Sequence, residues 1–124
     1  MLHARTVAAL LVLLMIFMGC NANRQVARNP DTEALFSAAR EGHADTVKAL
    51  LTSGKPEVNG RDEGGNTPLI EAARNGHDGV VQALLIAKAD VRAKNNGGQT
   101  ALMLAVQGGH DEVVRLLKQA GAPE

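Results

Sequence analysis

This sequence predicts an all-α fold, a solenoid of stacked helix–turn–helix units, and three observations predict it. One pattern recurs three times: Leu35, Leu69 and Leu102; Gly42-His43, Gly76-His77 and Gly109-His110; Val47, Val81 and Val114. The histidines stand 34 and 33 residues apart, a period that marks stacked repeats, which present surface rather than a catalytic cleft. Within each period the apolar residues fall at helical spacing and break at the glycines. The apolar residues are mostly Leu, Val, Ala and Ile, with Phe17 and Phe36 the only aromatics, which suits thin helical layers.

The middle unit shows why each element forms. Thr67-Pro68 opens a helix, because Thr accepts a bond from a free amide and Pro at the first helical position has none to satisfy. Leu69, Ala72 and Ala73 then give one narrow apolar face. Gly76 ends the helix, since a left-handed conformation costs other residues about 1–2 kcal/mol. A second helix runs from Asp78 to about Ala87, with Val80, Val81, Leu84 and Leu85 as its stripe and Asp78 favoured by the helix dipole. Val91 to Gly98 carries the chain through a polar Asn/Gly turn to the next unit.

The first and third units copy this plan, as Leu35, Ala38-Ala39, Gly42-His43, Val47 and Leu50-Leu51, and as Leu102, Ala105, Gly109-His110, Val113-Val114 and Leu116-Leu117. The alanines allow helices to approach within about 8–10 Å. A single helix pair cannot bury both faces, and about three units are the minimum that can. Lys118 takes the place of Leu51 and Leu85, the polar substitution a terminal repeat needs, and implies a complete array.

Thr67-Pro68-Leu69-Ile70-Glu71-Ala72-Ala73 resembles the T-P-L-H-x-A-A signature of the ankyrin repeat, and Gly76-His77, Val80-Val81 and Ala89-Asp90-Val91 resemble its later parts. The resemblance covers Pro30 to Ala122. It implies an ankyrin-repeat solenoid with protruding β-turn or hairpin loops, in repeats of about 31–63, 64–96 and 97–124. Phe36, Ile70 and Met103 replace the signature His; Lys88 stands at a helix-ending Gly position that Gly54 and Gly121 keep. The turn from Gly54 to Gly65 carries one extra residue, Lys55 or Pro56.

The N-terminus reads differently. Arg5 precedes an unbroken apolar run, Val7 to Met18, followed by Gly19-Cys20. A run of this length is too short to cross a bilayer core of about 30 Å as a helix, and matches the apolar region of a secretory signal. The order resembles a bacterial lipoprotein signal, with Phe17-Met18-Gly19-Cys20 in the lipobox place. That resemblance implies residues 1–19 as signal peptide, lipid attachment at Cys20 and a polar tether over 20–30. A secretory signal cut after Ala22 and a short uncleaved anchor are the alternatives. Asn21 after the cysteine resembles an outer-membrane address, so export to the periplasm or cell envelope is expected.

Composition bounds the chemistry. Thirteen basic and thirteen acidic residues give no net charge, and aromatics are scarce, which argues against nucleic-acid binding. His43, His77 and His110 sit one repeat apart, about 8–10 Å by helix spacing, too far to share a metal ion; each is expected to bond neighbouring backbone at a helix start. Asp62, Glu63 and Glu71 read as solvated carboxylates, and Gly64-Gly65 and Gly97-Gly98 as turns rather than phosphate cradles. Ser37 and Ser53 have no His/Asp partner in the sequence pattern. No catalytic residue, metal or cofactor is expected.

What remains is a binding surface. Ankyrin proteins meet partners at their turns and the exposed face of their first helices. Carried over by position, the resemblance selects Arg40 and Glu41; Glu63, Asn66, Arg74 and Asn75; and Asn96, Gln99 and Gln107. The mixed charge of this set implies an unidentified protein partner, bound by a monomeric, non-catalytic module whose only membrane contact is an N-terminal lipid. An inhibitor or immunity-type protein masking a toxin or envelope enzyme is the alternative reading, and a small hydrolase a remote one.

Overall fold

A computed structural model describes residues 29–123. The expected signal peptide 1–19, the lipid site Cys20 and most of the expected tether lie outside the described residues. Six helices follow in order: α1 Pro30–Glu41, α2 Ala44–Ser53, α3 Pro68–Asn75, α4 Asp78–Ile86, α5 Ala101–Gln107 and α6 Asp111–Gln119. They form three hairpins. In each, the first helix packs on the first helix of the next hairpin and the second on the second, giving an inner row α1–α3–α5 and an outer row α2–α4–α6. Among the described residues no helix is long and apolar enough to cross a membrane.

The helices start and stop for the expected reasons. Thr67 and Thr100 cap α3 and α5, their hydroxyls accepting from the amides of Ile70 and Met103 at 3.2 Å. Gly76 ends α3 in the left-handed region, at φ 74°. The first hairpin begins earlier than the tether boundary implies, for Asn29 caps α1 by accepting from the Asp31 amide, and Pro30 is its first residue.

The core lies between the rows. Leu35, Leu69 and Leu102 are all buried in equivalent surroundings, as are Ala38, Ala72 and Ala105. Val47, Val81, Leu84, Val113 and Leu117 close it from the outer row. Shielding a branched side chain of this kind contributes about 1.5–3 kcal/mol.

Two turns correct the sequence expectation. Gly54 is extended (φ −93°, ψ −177°) rather than left-handed. The extra residue behind it is absorbed by the start of α1: Lys55 donates to Asp31, Asn29 to the Lys55 carbonyl, and Glu57 to the Thr32 hydroxyl. Lys88, by contrast, does take the left-handed conformation, at φ 68°. The amide of Ala89 reaches back to Leu84, just as Ala122 reaches Leu117 behind Gly121, so the helix-closing bonds impose the strained backbone.

The terminal repeat corrects another. Lys118 and Gln119 make the outer helix polar at its end, but Met103 and Val106 on α5 stay 50% and 60% exposed. Their equivalents Ile70 and Ala73 are buried beneath α5. The cap is polar on one row only.

Candidate partner-binding surface

The hairpin loops project from the start of the inner helices. In the first, the Asp62 carboxylate accepts from the amides of Gly64 and Asn66; in the second, Asn95 Oδ1 does the same for Gly97 and Gln99. A side chain that folds back on its own backbone supplies the turn that a longer strand would otherwise need. The loops are tied together: Asn96 N donates to the Gly64 carbonyl at 2.9 Å, Asn96 Nδ2 to the Glu63 carbonyl at 3.0 Å, and Arg61 to the Lys94 carbonyl at 2.7 Å. Only an isolated bridge, Lys94 with Thr100, has strand character among the described residues.

Glu71 overturns its reading as a solvated carboxylate. It is 4% exposed, on the row between α1 and α3. Leu104 holds the equivalent place in the third repeat and is 7% exposed, whereas Ser37, with no described repeat before it, is exposed, so it is the preceding inner helix that covers this position. Burying a carboxylate is costly unless it is paired. Arg74 Nη1 donates to Glu71 Oε1 at 3.1 Å, and Arg40 Nε lies 3.7 Å from Oε2. One carboxylate thus holds the Arg74 guanidinium by a hydrogen bond and lies within ion-pair range of Arg40; the two side chains remain 39% (Arg74) and 58% (Arg40) exposed.

From there the polar contacts run on without a gap. Arg74 Nη2 donates to Asn66 Oδ1 at 3.0 Å, Asn95 Nδ2 donates to the same oxygen at 3.0 Å, and Asn95 also reaches Gln99 Oε1 at 3.3 Å. Asn75 donates to the Arg40 carbonyl at 3.3 Å. The expected binding set therefore divides. Asn66 and Gln99 are half-buried members of this network, and Asn75 and Asn96 bond backbone of the preceding repeat while staying exposed. Glu41, Glu63 and Gln107 are exposed, and Arg40 and Arg74 offer partly solvated guanidiniums held in place.

The histidines also differ from expectation. None caps its own helix. His77 Nε2 bonds the Arg40 carbonyl at 3.0 Å and His110 Nε2 the Arg74 carbonyl at 3.1 Å, each joining its repeat to the one before. The rings lie so close to Gly42 and Gly76 that a Cβ there would fall 2.6 and 2.5 Å from Nδ1. His43, with no described repeat before it, faces Glu41 instead, at 3.5 Å.

The described residues place no three His, Cys, Asp or Glu side chains for a metal ion. The shifted titrating pair lies away from this surface, on α6. There the hydrogen-bonded Arg115 guanidinium draws the Glu112 carboxyl below its ordinary value and is itself raised. What the inner surface offers is oriented donors and acceptors, fit for holding a partner's carbonyls and carboxylates. Sequence reasoning missed Glu71 and Asn95; Arg74 three residues after a Glu at a stack-facing position was the available signal.

Comparison with known proteins agrees with this architecture. Residues 1–95 match the family described as "Ankyrin repeats (3 copies)", and residues 97–123 match "Ankyrin repeat". Human "Ankyrin repeat domain-containing protein 29" is 43% identical over 61 residues, covering 49% of this chain and 20% of that protein. "Palmitoyltransferase akr1" of Schizosaccharomyces pombe is 47% identical over 57 residues, 46% of this chain and 9% of its own length. Bovine "Ankyrin repeat domain-containing protein 49" is 39% identical over 67 residues, 54% of this chain and 28% of its own. The chain spans less than a third of each of these relatives, and the matching parts are repeats. With most of its length matched by that family, and three hairpins stacked in register, the chain belongs to the ankyrin repeat family, whose repeats are protein-interaction modules.

Proposed function

We propose that this protein is a non-catalytic binding module of a bacterial cell envelope, exported by residues 1–19, anchored to the outer membrane through lipid on Cys20, and gripping a protein partner by its hairpin tips and inner helices. The observation that carries the binding reading is the pair of guanidiniums beside buried Glu71, Arg74 hydrogen-bonded to it and Arg40 drawn toward it, both open to solvent. Arg side chains already held in one geometry lose less freedom on binding, which favours polar recognition around a few anchors. Glu63 and Gln107 flank them on the hairpin and on α5, exposed and free of structural side-chain bonds among the described residues. The envelope reading is supported by the charge, apolar run and cysteine of the first twenty residues.

Crosslinking in native envelopes tests the binding surface. The double variant Glu63→Arg/Gln107→Arg keeps every side-chain contact described above and is expected to lose partner capture at least tenfold. Undiminished capture, or turnover of a substrate by the purified protein, overturns the reading. Cys20→Ser is expected to move the protein from membranes to the soluble fraction; unchanged partitioning overturns the anchor.

A further inference from the structure

Opposite ends of the described stack carry the two halves of one junction, each unfilled among the described residues. Inside the molecule each junction is made alike. A histidine of the following repeat seats on the left-handed glycine of the preceding one and bonds the carbonyl two residues before that glycine: His77 on Gly42 and Arg40, His110 on Gly76 and Arg74. Beside this seat, Phe36 and Ala39 in one junction, and Ile70 and Ala73 in the other, are covered by the next inner helix.

At the C-terminal end the seat is present without its occupant. Gly109 has the same conformation, φ 71°, and nothing lies within 4 Å of where a Cβ would stand, whereas the two inner glycines meet a ring there. The Gln107 carbonyl holds the place of the Arg40 and Arg74 carbonyls. Met103 and Val106 open an apolar groove of about 480 Å³ with Leu102, Pro123 and the rim residues Gln107 and Lys118. At the N-terminal end the occupant, His43, has no such seat among the described residues. The His43 side chain is 60% exposed. Ala34 and Ser37, at the places where α5 carries Ala101 and Leu104, give α1 a small-residue face that allows close helix approach.

We propose that this chain associates head to tail with a second copy of itself, His43 of one copy seating on Gly109 and the Gln107 carbonyl of another while α1 covers Met103 and Val106. This rests on the end faces and is read as self-association of the purified chain, whereas the inner-surface reading above is read as capture of a partner; Gln107 borders both. It replaces the monomer the sequence implies. A tail-to-tail pair fits less well: it sets two Lys118 ammoniums in one small apolar interface and leaves both glycine seats without a ring. The head-to-tail contact is heterologous, so it extends by adding copies rather than closing at two. A single junction buries little surface, so association is weak and concentration-dependent.

Two one-sided variants test it in the full chain by sedimentation velocity. Val106→Lys blocks the tail at an exposed position, and His43→Asp blocks the head while keeping a residue that caps α2 well. The wild type is expected to show an average mass that climbs with concentration and passes the dimer. Each variant alone is expected to be monomeric, and an equimolar mixture to rise to a dimer and stop, because each partner supplies one intact end. A monomeric wild type overturns the proposal. So does self-association of His43→Asp alone, which means tail-to-tail pairing or contact through the N-terminal residues, and so does a mixture that stays monomeric.

Discussion

Ile70 and Met103 hold the same place in successive repeats, yet Ile70 is 1% exposed and Met103 50%. The residue types are alike; what differs is whether another helix follows. Burial in this fold is thus conferred by the neighbour, and a repeat's own sequence determines only which face it presents. Ile70→Ala should therefore cost about 2–5 kcal/mol, the range for emptying a closed core site. Met103→Ala should stay near the ±0.5 kcal/mol or so of an exposed change. Urea unfolding of the two variants side by side measures the contrast, and equal losses would mean that the terminal face is covered in solution.

Glu71 and Leu104 make the same comparison with a charge. Leu104 shows that the stack accepts an apolar residue at this place, 7% exposed. Glu71→Leu releases two guanidiniums that are already partly hydrated, so its expected effect lies between neutral and a gain of about 1 kcal/mol. Removing both guanidiniums instead, in Arg40→Ala/Arg74→Ala, strands a buried carboxylate. That should cost about 2–3 kcal/mol, less than the ~3–5 of a fully enclosed pair because water can enter where the long side chains stood. If the two variants destabilise equally, the carboxylate is hydrated and the ion pairs with Glu71 are not what orders the arginines.

The histidines sharpen the contrast between ends. His77 and His110 each bond a carbonyl 37 or 36 residues upstream and pack on a glycine, whereas His43 has only Glu41 beside it. His77→Ala and His110→Ala should each cost about 1–2 kcal/mol, a hydrogen bond and its packing. His43→Ala should change stability by less than about 0.5 kcal/mol. Thermal melts at low concentration, where copies are apart, provide the check.

These differences mark where the sequence stops being informative. Local chemistry was legible: Thr67 as a cap, Gly76 as a stop, the leucine and alanine register that stacks the hairpins. Each depends on residues within about one turn of each other. The burial of Glu71, the acceptors of His77 and His110, and the network role of Asn66 were not legible, because each is decided by a repeat some thirty residues away. Period gave the position of each residue in its unit. It did not say which side of that unit a neighbour covers, so an acid on a helix that looked solvated proved to be enclosed.

Lys88 and Gly121 give the smallest test of the same comparison. They close the outer helices of successive repeats in one conformation, φ 68° and 92°, but only one is a glycine. A left-handed Lys costs about 1–2 kcal/mol. Lys88→Gly removes that strain and adds unfolded-chain freedom worth about 0.4–1 kcal/mol in the opposite direction. The net should be a gain of roughly 0.5–1 kcal/mol, seen as a higher urea midpoint at unchanged slope. Lys88→Ala is the control, since it drops the charge and the long side chain but keeps a Cβ in the strained backbone, and should bring no such gain. Equal gains from Gly and Ala would place the cost in the lysine side chain and acquit the backbone.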